Sequence, residues 1–156
     1  MQSIIWSLGL IAATVLLHAF TIAALDLVLE LGRRRIVRRH RRLPPLFSLV
    51  VATIAMAMLV AHAITVILWA IVYWWLGAIG SFADAVYFSL DSYTTRGASG
   101  LVIGAPWRMM GAMEAVDGVL LFGLTTAFLF AVMQVWWPIW MARRYGLDAD
   151  GVDHGA

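Results

Sequence analysis

The sequence predicts an all-α integral membrane protein of one domain, with three transmembrane helices and a short helix between the second and third. Two observations carry this expectation. First, 63% of the 156 residues are hydrophobic and only 13% are charged, more apolar surface than a soluble domain of this size can bury. Second, residues 4–29, 46–76 and 109–137 form apolar runs, each at or above the roughly 20 residues that cross a bilayer as a helix. The absence of cysteine excludes a disulfide framework and a thiolate metal site.

The first run belongs to an N-terminal segment, 1–31. "MQSIIWSLGL" lacks the positive n-region of a secretory signal, and its apolar stretch is too long for one, so it is expected to remain as a transmembrane helix. The connector 32–45, "GRRRIVRRHRRLPP", holds Arg33, Arg34, Arg35, Arg38, Arg39, Arg41 and Arg42. Arginine excess marks the cytoplasmic side and explains the basic balance without nucleic acid. Anionic lipid headgroups are a possible partner for it. Pro44 and Pro45 fit the start of the second helix, where a missing N–H costs nothing. A third run ending in "MARRYG" returns to the arginine-rich side, giving an N-terminus outside and a C-terminal tail, 141–156, in the cytoplasm. Trp69, Tyr73, Trp74 and Trp75 at one end, and Trp136, Trp137 and Trp140 at the other, suit the two interfaces where amphipathic rings settle.

Between the second and third runs, "SFADAVYFSLDSYTT" places Phe82, Val86, Tyr87, Leu90 and Tyr93 at helical spacing. Ser81 or Asp84 suits its N-terminus. A helix over 82–93 is too short to span. It is followed by small and polar residues, "TTRGASG". The segment either dips into the bilayer and returns, its non-helical backbone lining water or buried in protein, or lies as an amphipathic helix on the outer surface.

From Phe82 to Gln134 the chain resembles the pore module of potassium channels, especially small bacterial members with two transmembrane helices and a pore loop. "ADAVYFSLDSYTTRGASG" is similar to a pore helix entering a selectivity filter, and "WRMMGAMEAVDGVLLFGLTTAFLFAV" to the inner helix. The resemblance implies a pore module over 46–140: outer helix 46–76, pore helix 82–93, filter-like loop 94–100 and inner helix 109–137, with the N-terminal helix as an addition. Against the family's Thr-Thr-Val-Gly-Tyr-Gly-Asp, Thr94, Thr95 and Gly97 match, whereas Arg96, Ala98, Ser99 and Gly100 depart. Such filters replace an ion's hydration shell with backbone carbonyls. Gly97 takes a left-handed conformation freely, and Ser99 would pay roughly 1–2 kcal/mol for it.

The resemblance turns the side chain of Arg96 toward the pore helix, where Asp91 is expected to support the filter as its ion-pair partner. Snorkelling of Arg96 to outer water is the alternative. Glu114 and Asp117 at the start of the inner helix could form a cation ring in an oligomer, and Gly123 stands where the family often bends at a gating hinge. The implied protein is a homo-oligomer, a tetramer by resemblance, in the bacterial inner membrane. It would conduct monovalent cations with weak potassium selectivity. The alternatives are an anion or proton pore lined by Arg96, and a non-conducting scaffold or lipid-binding subunit.

His18 and His62, one in each of the first two spans, are either hydrogen-bonded packing residues or carriers of protons. Asp26 and Glu30 fit interfacial pairing with the arginine connector, and Gly111 and Gly118 fit close helix approach. The sequence contains no nucleotide loop, paired-histidine metal motif or Ser-His-Asp set. The expectation is a protein that is not an enzyme and needs no cofactor or metal.

Overall fold

The structure is a computed structural model, and it describes residues 1–39, 44–97 and 99–145. Four α-helices follow in order: α1 (Gln2–Arg39), α2 (Pro44–Trp75), α3 (Phe82–Tyr93) and α4 (Arg108–Tyr145), with a 3-10 turn at Ala105–Trp107 leading into α4. No strand occurs among the described residues. Gln2–Gly32, Phe47–Trp75 and Ala105–Pro138 are long and apolar enough to cross a membrane. The chain is thus an all-helical protein with three candidate membrane spans.

α1 continues as helix beyond Gly32 through Arg39, so its last turns take up the first half of the basic connector. Arginine is a good helix former, and no proline intervenes before Pro44. Arg33, Arg34, Arg35, Arg38 and Arg39 lie on those turns. Arg41, Arg42 and the tail from residue 146 onward lie outside the described residues, as does Ala98 of the loop. α2 opens with Pro44 and Pro45 in its first turn, as their fixed φ and missing N–H allow.

α3 is set by its caps. Ser81 Oγ accepts the Asp84 N–H at 3.5 Å, and Asp84 stands in the first turn, where a carboxylate favours the helix dipole. The other end closes at Thr94, whose N–H reaches Leu90 O at 3.1 Å. α3 packs on α2 and α4, while α1 packs on α4 and α2. Trp69, Ala70 and Tyr73 of α2, Ala85 of α3, Ile103 of the loop before α4 and Met110 of α4 form one apolar cluster; Val66, Tyr93 and Leu121 form a second.

The approach of α3 to α4 depends on glycine. A Cβ on Gly118 would collide with the Tyr93 carbonyl oxygen and lie 3.0 Å from its carbon, and one on Gly111 would lie 3.2 Å from the Phe88 ring. The outer faces are apolar, with Leu16 and Phe20 on α1, Leu59 and Val60 on α2, and Val116 and Val119 on α4 all exposed, as lipid-facing residues would be. Polar groups turn inward instead, and their positions define the site.

Candidate functional site

Two polar constellations meet around α3. The first lies at its C-terminal end, where Asp91, 3% exposed, organises the loop that follows. Its Oδ1 accepts Arg96 Nε–H at 2.6 Å and its Oδ2 accepts the Ser99 N–H at 2.9 Å. Its backbone carbonyl accepts the Arg96 N–H at 2.9 Å. The guanidinium also donates through Nη2 to the Tyr87 hydroxyl at 2.7 Å and stands 5.5 Å over that ring. The Arg96 side chain remains 53% exposed. Its hydrogen bond to Asp91, then that to Tyr87, pushes its pKa further up, so it stays cationic.

Left-handed backbone occurs at Thr95 (φ 58°), Gly97 (φ 64°) and Gly100 (φ 70°). The strain expected at Ser99 falls on Thr95, a β-branched residue, for which such a conformation is a true outlier. Strained positions of this kind, about 1–3 kcal/mol each, persist where surrounding contacts over-determine them and cluster at functional sites. Thr94, in turn, donates from Oγ1 to Leu90 O at 2.7 Å. Beside Thr95, an open apolar groove of 510 Å³ is lined by Ala115, Val116, Val119 and Leu120 of α4.

The second constellation is buried between all four helices. Glu114 is 0% exposed; its Oε2 accepts the Tyr73 hydroxyl at 2.7 Å, and its Oε1 meets Ser89 Oγ. Ser89 also donates to Val66 O at 2.9 Å. Asp117, likewise 0% exposed, accepts at Oδ2 from Thr14 Oγ1–H at 2.8 Å and from Trp69 Nε1–H at 3.1 Å. Its Oδ1 is buried without a hydrogen-bond partner among the described residues. Both carboxyl groups therefore face the interior of their own chain. A cation ring would need them on the surface toward an axis.

His18 and His62 continue the network. His18 Nδ1 lies 3.0 Å from Thr14 O, and His18 Nε2 lies 3.3 Å from His62 Nδ1. His62 Nδ1 is also 2.6 Å from the Tyr93 hydroxyl, and His62 Nε2 is 3.0 Å from Thr125 Oγ1. The residue at the end of α3 thus touches one midway along the Phe47–Trp75 span.

Trp69 and Tyr73 are 0% exposed, while Trp74 and Trp75 are 52% and 68% exposed. The interfacial belt expected at the end of α2 is therefore only half realised: two of its rings turn inward as donors to the buried carboxyls. Thr14, Ser89 and Thr125 escaped the sequence reading, which placed Trp69 and Tyr73 at the interface and not in the site. Only the spacing of Trp69 and Tyr73, one helical turn apart like Glu114 and Asp117 on α4, signals matched faces. Gly123 is exposed on an unbroken stretch of α4, and a Cβ there would meet nothing within 4 Å.

No protein-family model, curated protein or solved structure matches the chain.

Proposed function

We propose that the chain is the pore-forming subunit of a homo-oligomeric membrane channel that passes monovalent cations, built on the plan of a potassium-channel pore module. The observation that carries this is the seating of α3. Its last residue, Tyr93, bonds to His62 midway along a candidate span, and the backbone beyond it is turned by Asp91 through three left-handed positions. Irregular backbone at that depth is tolerated only inside protein or against water. A single loop encloses no path, so the groove beside Thr95 is the surface that a second copy would cover. The resemblance suggests four copies, a bacterial inner membrane, and an outside N-terminus opposite a cytoplasmic C-terminus.

In this arrangement Thr94, Thr95 and Gly97 contribute carbonyls to the ion path, Asp91 braces the loop from behind, and α4 bends at Gly123. The charge of Arg96 is compensated by Asp91 at 2.6 Å, which favours a cation path over an anion-selective pore. Glu114 and Asp117 act through packing within each subunit.

The test is ion flux from purified protein in liposomes, with reversal potentials in asymmetric KCl against an impermeant cation. A cation-selective potential is expected. Anion selectivity would move Arg96 onto the path, and the absence of flux would leave a non-conducting scaffold. Asp91→Ala, which frees both Arg96 and the Ser99 N–H, is expected to abolish or alter the current; an unchanged current would remove Asp91 from the filter.

A further inference from the structure

The arginine-rich end of the bundle carries a groove that the proposed ion path does not touch. It is an apolar cavity of 240 Å³ between α1, α2 and α4. Leu25, Val28, Leu29 and Gly32 line it from α1, with Ile54 of α2 and Trp136 of α4 opposite. All six belong to the candidate spans, so the groove lies at membrane depth. Thr53, which also lines it, donates its hydroxyl to Leu49 O at 2.8 Å and asks nothing of an occupant. Gly32 keeps the end nearest the arginines open, since a Cβ there would meet nothing within 4 Å. What suits such a space is hydrocarbon.

Beyond the open end, the same helix carries charge. The face of α1 that lines the groove, positions 25, 28, 29 and 32, continues at helical spacing through Arg35 and Arg39. The acids of this half of α1 are placed elsewhere: Asp26 and Glu30 stand roughly 110° and 150° around the axis from that face, at 3.6 residues per turn. Arg34 and Arg38 fall on the far side as well. Two cations following an apolar slot match an acidic headgroup carried on a hydrocarbon tail, and anionic lipids are drawn to basic segments at a membrane surface. A second copy of this chain, parallel in the membrane, would bring its own arginines to the same level and be repelled.

We propose that this groove is a binding site for one anionic phospholipid. An acyl chain lies against residues 25–32 of α1, the acidic headgroup is held at Arg35 and Arg39, and the lipid joins α1 to α2 and α4. The site does not depend on whether the chain conducts.

The test is photolabelling of the full chain in phosphatidylcholine vesicles that carry a trace of one of two probes. The probes are phosphatidylglycerol and phosphatidylcholine with the same diazirine-bearing acyl chain, and mass spectrometry locates the labelled residues. The anionic probe is expected to label the groove on the order of tenfold more than the zwitterionic one, a preference that two arginines near a headgroup supply. Equal labelling would make the groove part of the ordinary lipid annulus and overturn the proposal. A groove left unlabelled would show that protein covers it and overturn the proposal too. Arg35→Gln with Arg39→Gln is expected to erase the preference. Arg34→Gln with Arg38→Gln removes the same charge from the far side of the helix and should leave the preference in place. Equal losses from the two pairs would reduce the effect to surface charge and refute the site. Gly32→Leu, which plugs the open end, is expected to lower groove labelling by both probes; unchanged labelling would take the acyl chain out of the groove. The comparison of probes uses the native chain, so it stands even if a variant fails to fold.

Discussion

Glu114 shows how a single buried acid can be read from its neighbours. Ser89 owns one hydroxyl hydrogen but faces two oxygens, Val66 O at 2.9 Å and Glu114 Oε1. Both contacts are satisfied when the hydrogen between Ser89 and Glu114 belongs to the acid. Glutamine can supply that hydrogen from its amide while still accepting from Tyr73. Glu114→Gln is therefore expected to shift unfolding by less than about 1 kcal/mol, whereas Glu114→Ala strands the Tyr73 hydroxyl and costs about 1–3 kcal/mol. Denaturant unfolding in detergent micelles measures both; equal losses would refute the assignment. At this scale the sequence offered Asp117 only as a member of a cation ring, and its partner Thr14 lies 103 positions away. No local pattern reports a contact of that kind. The Asp91–Arg96 contact, by contrast, spans five positions and lay within reach of local reasoning.

Among the elements, α3 and α4 are joined where two glycines that look alike in sequence behave differently. Gly118 lies against the Tyr93 carbonyl, while Gly123 meets open space. Gly118→Ala forces the helices apart and is expected to destabilise by about 1–3 kcal/mol. Gly123→Ala should fold at least as well, since alanine is the better helix former by about 1 kcal/mol. Thermal unfolding of the two variants side by side makes the comparison, and equal stability would deny the close approach. If the proposed channel bends at Gly123, the alanine variant is expected to change its opening with no loss of stability. Helix positions themselves were legible, because apolar length and the Ser81 cap are local properties. Which side of α2 Trp69 and Tyr73 occupy was not, since aromatic rings suit an interface and a core equally well until a partner helix is in place.

For the molecule as a whole, three spans follow from hydropathy alone, because lipid demands long apolar helices. Orientation and copy number depend on what surrounds the chain. A chain without cysteine makes orientation simple to measure: Gln2→Cys is expected to react with an impermeant thiol reagent added outside spheroplasts, and Ala156→Cys only after lysis. The reverse pattern would invert the topology. Cross-linking in native membranes should give species larger than one chain, and a lone monomer would end the proposal of a shared pore.

The bond between Thr14 and Asp117 joins the first spanning helix to the last, and it bears on biogenesis. A translocon releases helices in the order they are made, and an aspartate midway in a nascent helix opposes partitioning by about 2.5–3.5 kcal/mol. Thr14 and Trp69 are both synthesised before Asp117. The earlier helices thus offer a ready berth, and a nascent chain lacking the first of them would deliver its final segment to the lipid with that acid less well received.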